Sequence, residues 1–107
     1  MNSKISNQIE ILKNRLTRFN PSQVYIFGSF AYGNANDDSD LDLCVITDLK
    51  EKRKIDVIRE IRREFGTLIP NALDILVYQE TEFLQRASLE STLEHKILTD
   101  GLRIYGE

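Results

Sequence analysis

Residues 27–46 read FGSFAYGNANDDSDLDLCVI, and the fold turns on the piece SDLDL at 39–43. Asp40 and Asp42 stand at the mouth of an apolar run, Leu41 to Ile46, that reads as a β-strand. Strands normally exclude Asp, whose short polar side chain fits a pleated, half-buried surface badly. Two carboxylates at period two point to the same face. Like charges held that close repel, and burying them is costly without a positive partner. The segment calls for a cation.

Upstream, Val24 to Phe27 is a β-branched and aromatic run that reads as the first strand and ends at Gly28-Ser29. FAYG suggests a brief helical turn, and NANDDS a polar loop leading into the second strand. Before them, Ile5, Ile9, Leu12, Leu16 and Phe19 form one apolar helical stripe, stopped at Asn20-Pro21 because a residue preceding proline leaves the α region. Downstream, a helix is expected from about Glu51 to Phe65, with Ile55, Ile58, Ile61 and Phe65 inward and Gly66 closing it. Ala72 to Tyr78 reads as a third strand carrying Asp74. A helix follows from about Thr81. Ser91-x-x-Glu94 resembles a capping box for a last short helix through Thr99, and Leu102 to Tyr105 reads as a terminal strand. This order predicts an α/β (α+β) domain spanning 1–107: a mixed sheet of three to four strands with helices packed over it.

The 107 residues, 41% hydrophobic and 29% charged, match a single ordinary globular domain. A net charge of −3 disfavours broad nucleic-acid binding through a basic surface. A single cysteine excludes an internal disulfide and fits a reducing, cytoplasmic setting. The polar N-terminus reads as helix rather than signal peptide, and no apolar run approaches a membrane span.

If the third strand pairs beside the second, Asp74 joins Asp40 and Asp42 on one face. Hard carboxylate oxygens with room for water and phosphate suit Mg²⁺, and two such ions serve phosphoryl or nucleotidyl transfer. Glycine at 28 lets a phosphate approach the backbone, and the turn beginning at Ser29 offers N–H groups and a hydroxyl. Two other motifs fail. Gly28 to Gly33 has the glycine spacing of a P-loop, but Asn34-Ala35 stand where Lys and Ser or Thr are needed. An EF-hand started at Asn34, Asn36 or Asp38 lacks both the central glycine and the final glutamate.

Gly28-Ser29, ten residues, then Asp40-Leu41-Asp42 resembles the signature of the DNA polymerase β-like nucleotidyltransferase superfamily. The small size resembles its minimal nucleotidyltransferase branch, often paired as antitoxin with an all-helical HEPN toxin. The resemblance implies a nucleotidyltransferase fold in which Asp40, Asp42 and Asp74 bind two Mg²⁺ ions. It also implies that Asp74 helps deprotonate the acceptor, and that Gly28 and Ser29, with Gly33 and Ser39 nearby, hold the phosphates of ATP. The implied reaction moves AMP, or another NMP, to a hydroxyl, the acceptor being a side chain of the helical partner. The alternatives are a non-catalytic antitoxin that acts by docking, or a small-molecule transferase of the aminoglycoside-modifying type. One departure stands out: Phe30 and Tyr32 occupy places that are basic in many such antitoxins.

Among the remaining residues, Cys44 reads as a buried strand residue, His95 as a surface histidine, and Tyr25, Tyr78 and Tyr105 as packing. Tyr32 is a candidate for stacking on a base. The run Lys50 to Lys54, with Arg59, Arg62 and Arg63, is a solvated helix start that can also offer the missing cation.

Overall fold

The computed structural model describes residues 3–33 and 39–106, with residues 3–5 and 32 described by backbone alone. Asn34 to Asp38, most of the predicted polar loop, lie outside the described residues, as do the side chains of Ile5 and Tyr32.

Helix α1 (Ser3–Leu16) and a 3₁₀ turn (Thr17–Phe19) precede strand β1 (Gln23–Phe27) and the four-residue helix α2 (Ser29–Tyr32). Strand β2 (Leu41–Ile46), helix α3 (Lys54–Phe65) and strand β3 (Leu73–Tyr78) follow. Helices α4 (Glu80–Ala87) and α5 (Leu93–Asp100) lead to the terminal strand β4 (Leu102–Tyr105). The sheet has four strands in the order β3-β2-β1-β4. β1 is antiparallel to both β2 and β4, whereas β2 and β3 run parallel. The expected mixed sheet is therefore what forms.

Period two sorts the strands onto two faces. Val24, Ile26, Leu43, Val45, Ile75 and Val77 point to one, where Leu12 and Leu16 of α1 and Val57, Ile61 and Phe65 of α3 bury them. Tyr25, Cys44, Ile46 and Tyr78 point to the other, under Phe83 and Ala87 of α4 and Ile97 of α5. Cys44 is fully buried, as expected, and burial pushes its thiol up to about 12. On this second face Phe83 stands between Tyr25, 6.1 Å away, and Tyr78, 5.4 Å away in an edge contact.

Three local expectations shift. α3 begins at Lys54 rather than Glu51, because Lys50 adopts φ 54° and donates its N–H to Asp48 Oδ1 at 3.0 Å, so a turn consumes the preceding residues. With the start displaced, Val57, Ile61 and Phe65 form the buried face and Ile55 is exposed. The cap of α5 is Thr92, not Ser91: its Oγ1 accepts from the His95 N–H at 3.1 Å. Glu94 is thereby freed from a capping role and buried, accepting from the Tyr78 hydroxyl at 2.6 Å. His95 is not a plain surface residue. It is half-buried, with Nδ1 2.9 Å from the Ala87 carbonyl, and it ties α5 to α4.

Phe83 has no exposed surface and is packed between two tyrosine rings at the centre of the second face. Phe83→Ala is expected to destabilise the chain by roughly 3–5 kcal/mol, the range for emptying a buried aromatic site. Urea unfolding followed by circular dichroism measures it.

Candidate active site

The second face is roofed only in part. Counting along β2, Cys44 and Ile46 lie under α4 and α5, but Asp42, on the same face, lies at the strand's open end. The register sets its neighbours. Asp42 pairs with Asp74 across the parallel β2–β3 ladder and with Phe27 across the antiparallel β1–β2 ladder. Phe27 is the last residue of β1, so Gly28 arrives directly beside Asp42.

The contact is tight. A Cβ built on Gly28 would stand 2.1 Å from Asp42 Oδ2, and Gly28 adopts φ 73° with ψ −152°. The space any other residue's side chain would need is filled by a carboxylate, and the backbone angles are ones that L-residues avoid. Gly28 is therefore required by Asp42 itself, a constraint beyond the phosphate approach inferred from the sequence.

Asp42 is half-buried, whereas Asp40 and Asp74 are exposed. Its carboxyl is pushed up to about 6, first by burial, then by a hydrogen bond shared with Asp74, and then by the charges of Asp74 and Asp40. Two carboxyls this close suit a divalent ion, which would cancel their repulsion. The site is narrower than the three-acid cluster expected. Asp42 and Asp74 converge, while Asp40 lies one residue before β2 and acts on Asp42 through its charge alone. Among the described residues no three potential ligands stand close enough to enclose an ion. Three like charges without a counter-ion repel, and Asp40, just before the ladder, is exposed.

The other sequence candidates fall around this pair. Ser29 opens α2, and Gly33 closes it at φ 82°, with its N–H donating to the Ser29 carbonyl. Gly33 shapes that turn and is exposed. Ser39 offers its carbonyl to Asn71 Nδ2 at 2.7 Å, and Asn71 Oδ1 accepts from Gln8 Nε2 at 2.6 Å. Gln8 and Asn71, unnoticed in the sequence, thus anchor the entry to β2 onto α1. Their signal was faint: a buried Gln flanking an apolar stripe, and an Asn beside Pro70 that reads as turn chemistry. Phe30 is buried in the core beneath α2, so no cation is displaced there from a phosphate-facing surface.

The basic run does not serve the site. It follows the far end of β2, and Lys52, Arg53 and Lys54 pair with Glu60, Asp56 and Glu82. Arg62 alone of that group is seen to reach the acid end, donating to the Leu73 carbonyl at 2.8 Å, one residue from Asp74.

Two consequences are measurable. Gly28→Ala is expected to cost roughly 1–3 kcal/mol in strain, with displacement of Asp42 visible in its carboxyl NMR shift. The folded chain holds the Asp42 proton more tightly than the unfolded chain. That contribution is complete below about pH 4 and is lost as pH rises through about 6. In metal-free buffer the urea midpoint is expected to fall between pH 4.5 and 6.5, and Asp42→Asn to flatten that fall.

Comparison with known proteins agrees with this geometry. The family model described as polymerase beta, nucleotidyltransferase matches residues 7–107. No curated protein matches the chain. Among solved structures, one assigned as a nucleotidyltransferase from Sulfolobus solfataricus superposes with TM-score 0.60 at 24% identity, covering 96% of this chain and 80% of that one. A toxin–antitoxin structure with AMP-PNP superposes with TM-score 0.61 at 16% identity, covering 96% and 73%. A mutant of the toxin–antitoxin MntA-HpeT gives 0.60 at 14% identity, covering 100% and 75%. At these identities the structures show a shared fold, and the family model extends over nearly the whole sequence. The chain belongs to the polymerase β nucleotidyltransferase family.

Proposed function

We propose that the chain transfers a nucleotidyl group, AMP from ATP in the first instance, to a hydroxyl on a helical protein partner of the HEPN type, and acts as its antitoxin. The observation that carries this reading is the Asp42–Asp74 pair, bedded on Gly28 at the unroofed end of the sheet. Toxin–antitoxin assemblies among the structural neighbours, one of them with a nucleotide analogue, support the partner class. A cytoplasmic site of action accords with the free thiol of Cys44, and among the described residues no helix is long and apolar enough to cross a membrane.

Asp42, Asp74 and Asp40 would hold Mg²⁺. When bound, that ion neutralises the triphosphate and the charge that develops on the leaving pyrophosphate. The turn from Gly28 into α2 offers the backbone that orients the phosphates. Asp74, exposed at the edge of the sheet, accepts the proton of the acceptor hydroxyl. The hydroxyl oxygen bonds to the α-phosphorus as the bond to the β-phosphate oxygen breaks, and pyrophosphate leaves with that electron pair. The rate gain rests on positioning and charge neutralisation. Among the described residues, α4 and α5 cover Cys44 and Ile46 but stop short of Asp42, which suits an acceptor carried in by another protein.

Asp42→Asn is expected to lower transfer at least about a thousandfold, the scale of losing a charge from a preorganised site, with folding intact. Asp74→Asn is expected to remove transfer while Mg²⁺–ATP still binds by calorimetry. The assay incubates the purified chain with α-labelled ATP and Mg²⁺, alone, with bulk tRNA, and with the protein encoded beside it. Label on the partner protein, seen also in its intact mass, is the expected result. Label on tRNA instead, or full neutralisation of the partner by Asp42→Asn, overturns the reading.

A further inference from the structure

β3 is an edge strand, and its hydrogen-bonding pattern shows which groups stay open. Ala72 and Tyr78 turn their carbonyls toward β2, accepting from Leu41 N–H at 2.8 Å and Thr47 N–H at 2.9 Å. The even positions of β3 therefore face inward, and Leu73, Ile75 and Val77 present N–H and C=O outward. Arg62 takes the Leu73 carbonyl. Among the described residues nothing pairs with the outward groups of Ile75 and Val77. A short ladder is thus open beside Asp74, with a guanidinium fixed at its end.

We infer that this edge receives the acceptor: an extended segment of the partner adds as a strand along β3, with a hydroxyl residue opposite Asp74 and acidic neighbours toward Arg62. The inference rests on the proposed transfer to a protein hydroxyl. In an antiparallel addition Asp74 occupies a non-hydrogen-bonded position, because its own backbone groups face β2. Facing Cα atoms at such positions approach to about 4.5 Å, the closest pairing a sheet offers. The residue opposite Asp74 lies on Asp74's face, within reach of its carboxylate. Its two neighbours point to the other face, where α3 ends. There Arg62, Ile69, Asn71 and Leu73 line a groove of about 360 Å³. Arg62 forms no ion pair with any described residue, so the groove selects an acidic side chain. Main-chain bonds supply affinity, and the alternation of hydroxyl and acid supplies specificity.

The probes are two fluorescent nine-residue peptides with a central tyrosine, one flanked by glutamates and the other by lysines, in the presence of Mg²⁺ and a non-hydrolysable ATP analogue. Anisotropy is expected to show the acidic peptide binding about fivefold more tightly, the scale of an exposed ion pair. Arg62→Glu is expected to reverse the preference. Val77→Pro, which deletes an outward N–H and leaves the β2 ladder whole, is expected to abolish binding of both, with far-UV circular dichroism establishing that it folds. Equal binding of the two peptides overturns the inference, as does undiminished binding by folded Val77→Pro. So does a wild-type dimer that Val77→Pro splits, because a second copy then fills the edge. Wild type that binds neither Mg²⁺–ATP by calorimetry nor transfers label points instead to failure of the proposed function.

Discussion

A carboxylate lying where a side chain would otherwise be is the constraint from which the site follows. Asp42 rests on the bare Cα of Gly28 and lies level with Asp74 across the ladder. A larger residue at 28 evicts the carboxylate, and Asp74 is the acid that the register sets level with it. Among the described residues, α4 and α5 stop short of that end of the sheet, so water and ions screen what the core does not. Further along β2 on the same face, under α4 and α5, the residues are Cys44 and Ile46.

The two faces of the sheet divide the work. The face under α1 and α3 is covered along the full length of β2 and β3, from Leu41 and Leu73 to Val45 and Val77, and supplies most of the buried apolar surface. The opposite face buries a smaller cluster around Phe83 and keeps Asp42 and Asp74 accessible. Glu94 of α5, buried with the Tyr78 hydroxyl as its donor at 2.6 Å, shows how this face handles charge away from the site: one closely held partner. The tyrosine hydroxyl is pushed well above its usual range by that burial and by the carboxylate beside it.

Much of this was legible in the chain. An Asp at period two inside an apolar run, a second one inside a later run, and Gly-Ser closing the strand before them pointed to Asp42, Asp74 and Gly28 as neighbours, and the register places them side by side. Helix starts were less legible. The α3 boundary depends on one Asx turn at Asp48, and the α5 cap on a choice between adjacent Ser91 and Thr92 that only packing decides. Arg62 was one of several basic residues in a run, and its distinction comes from lying at the sheet edge, which depends on strand order. The second strand was read as Leu41 to Ile46 and forms there, with Asp40 just before it. Phe30 looked like a missing cation and is a core side chain.

Topology explains why these residues meet at all. β1 runs antiparallel to β2, so the end of the first strand and the beginning of the second lie at one edge of the sheet, and Gly28 arrives beside Asp42. β3 runs parallel to β2, so its beginning lies at that edge too, and Asp74 falls level with Asp42. Reversing either relation would send one partner to the opposite end, some 17–20 Å away for strands of this length. The parallel pair also requires a long crossover, which α3 supplies, and the end of that crossover returns Arg62 to the acid end. The mixed sheet is thus the arrangement that gathers a glycine from one strand's exit and acids from two strands' entries, and the helix completing its parallel half delivers the cation that borders them.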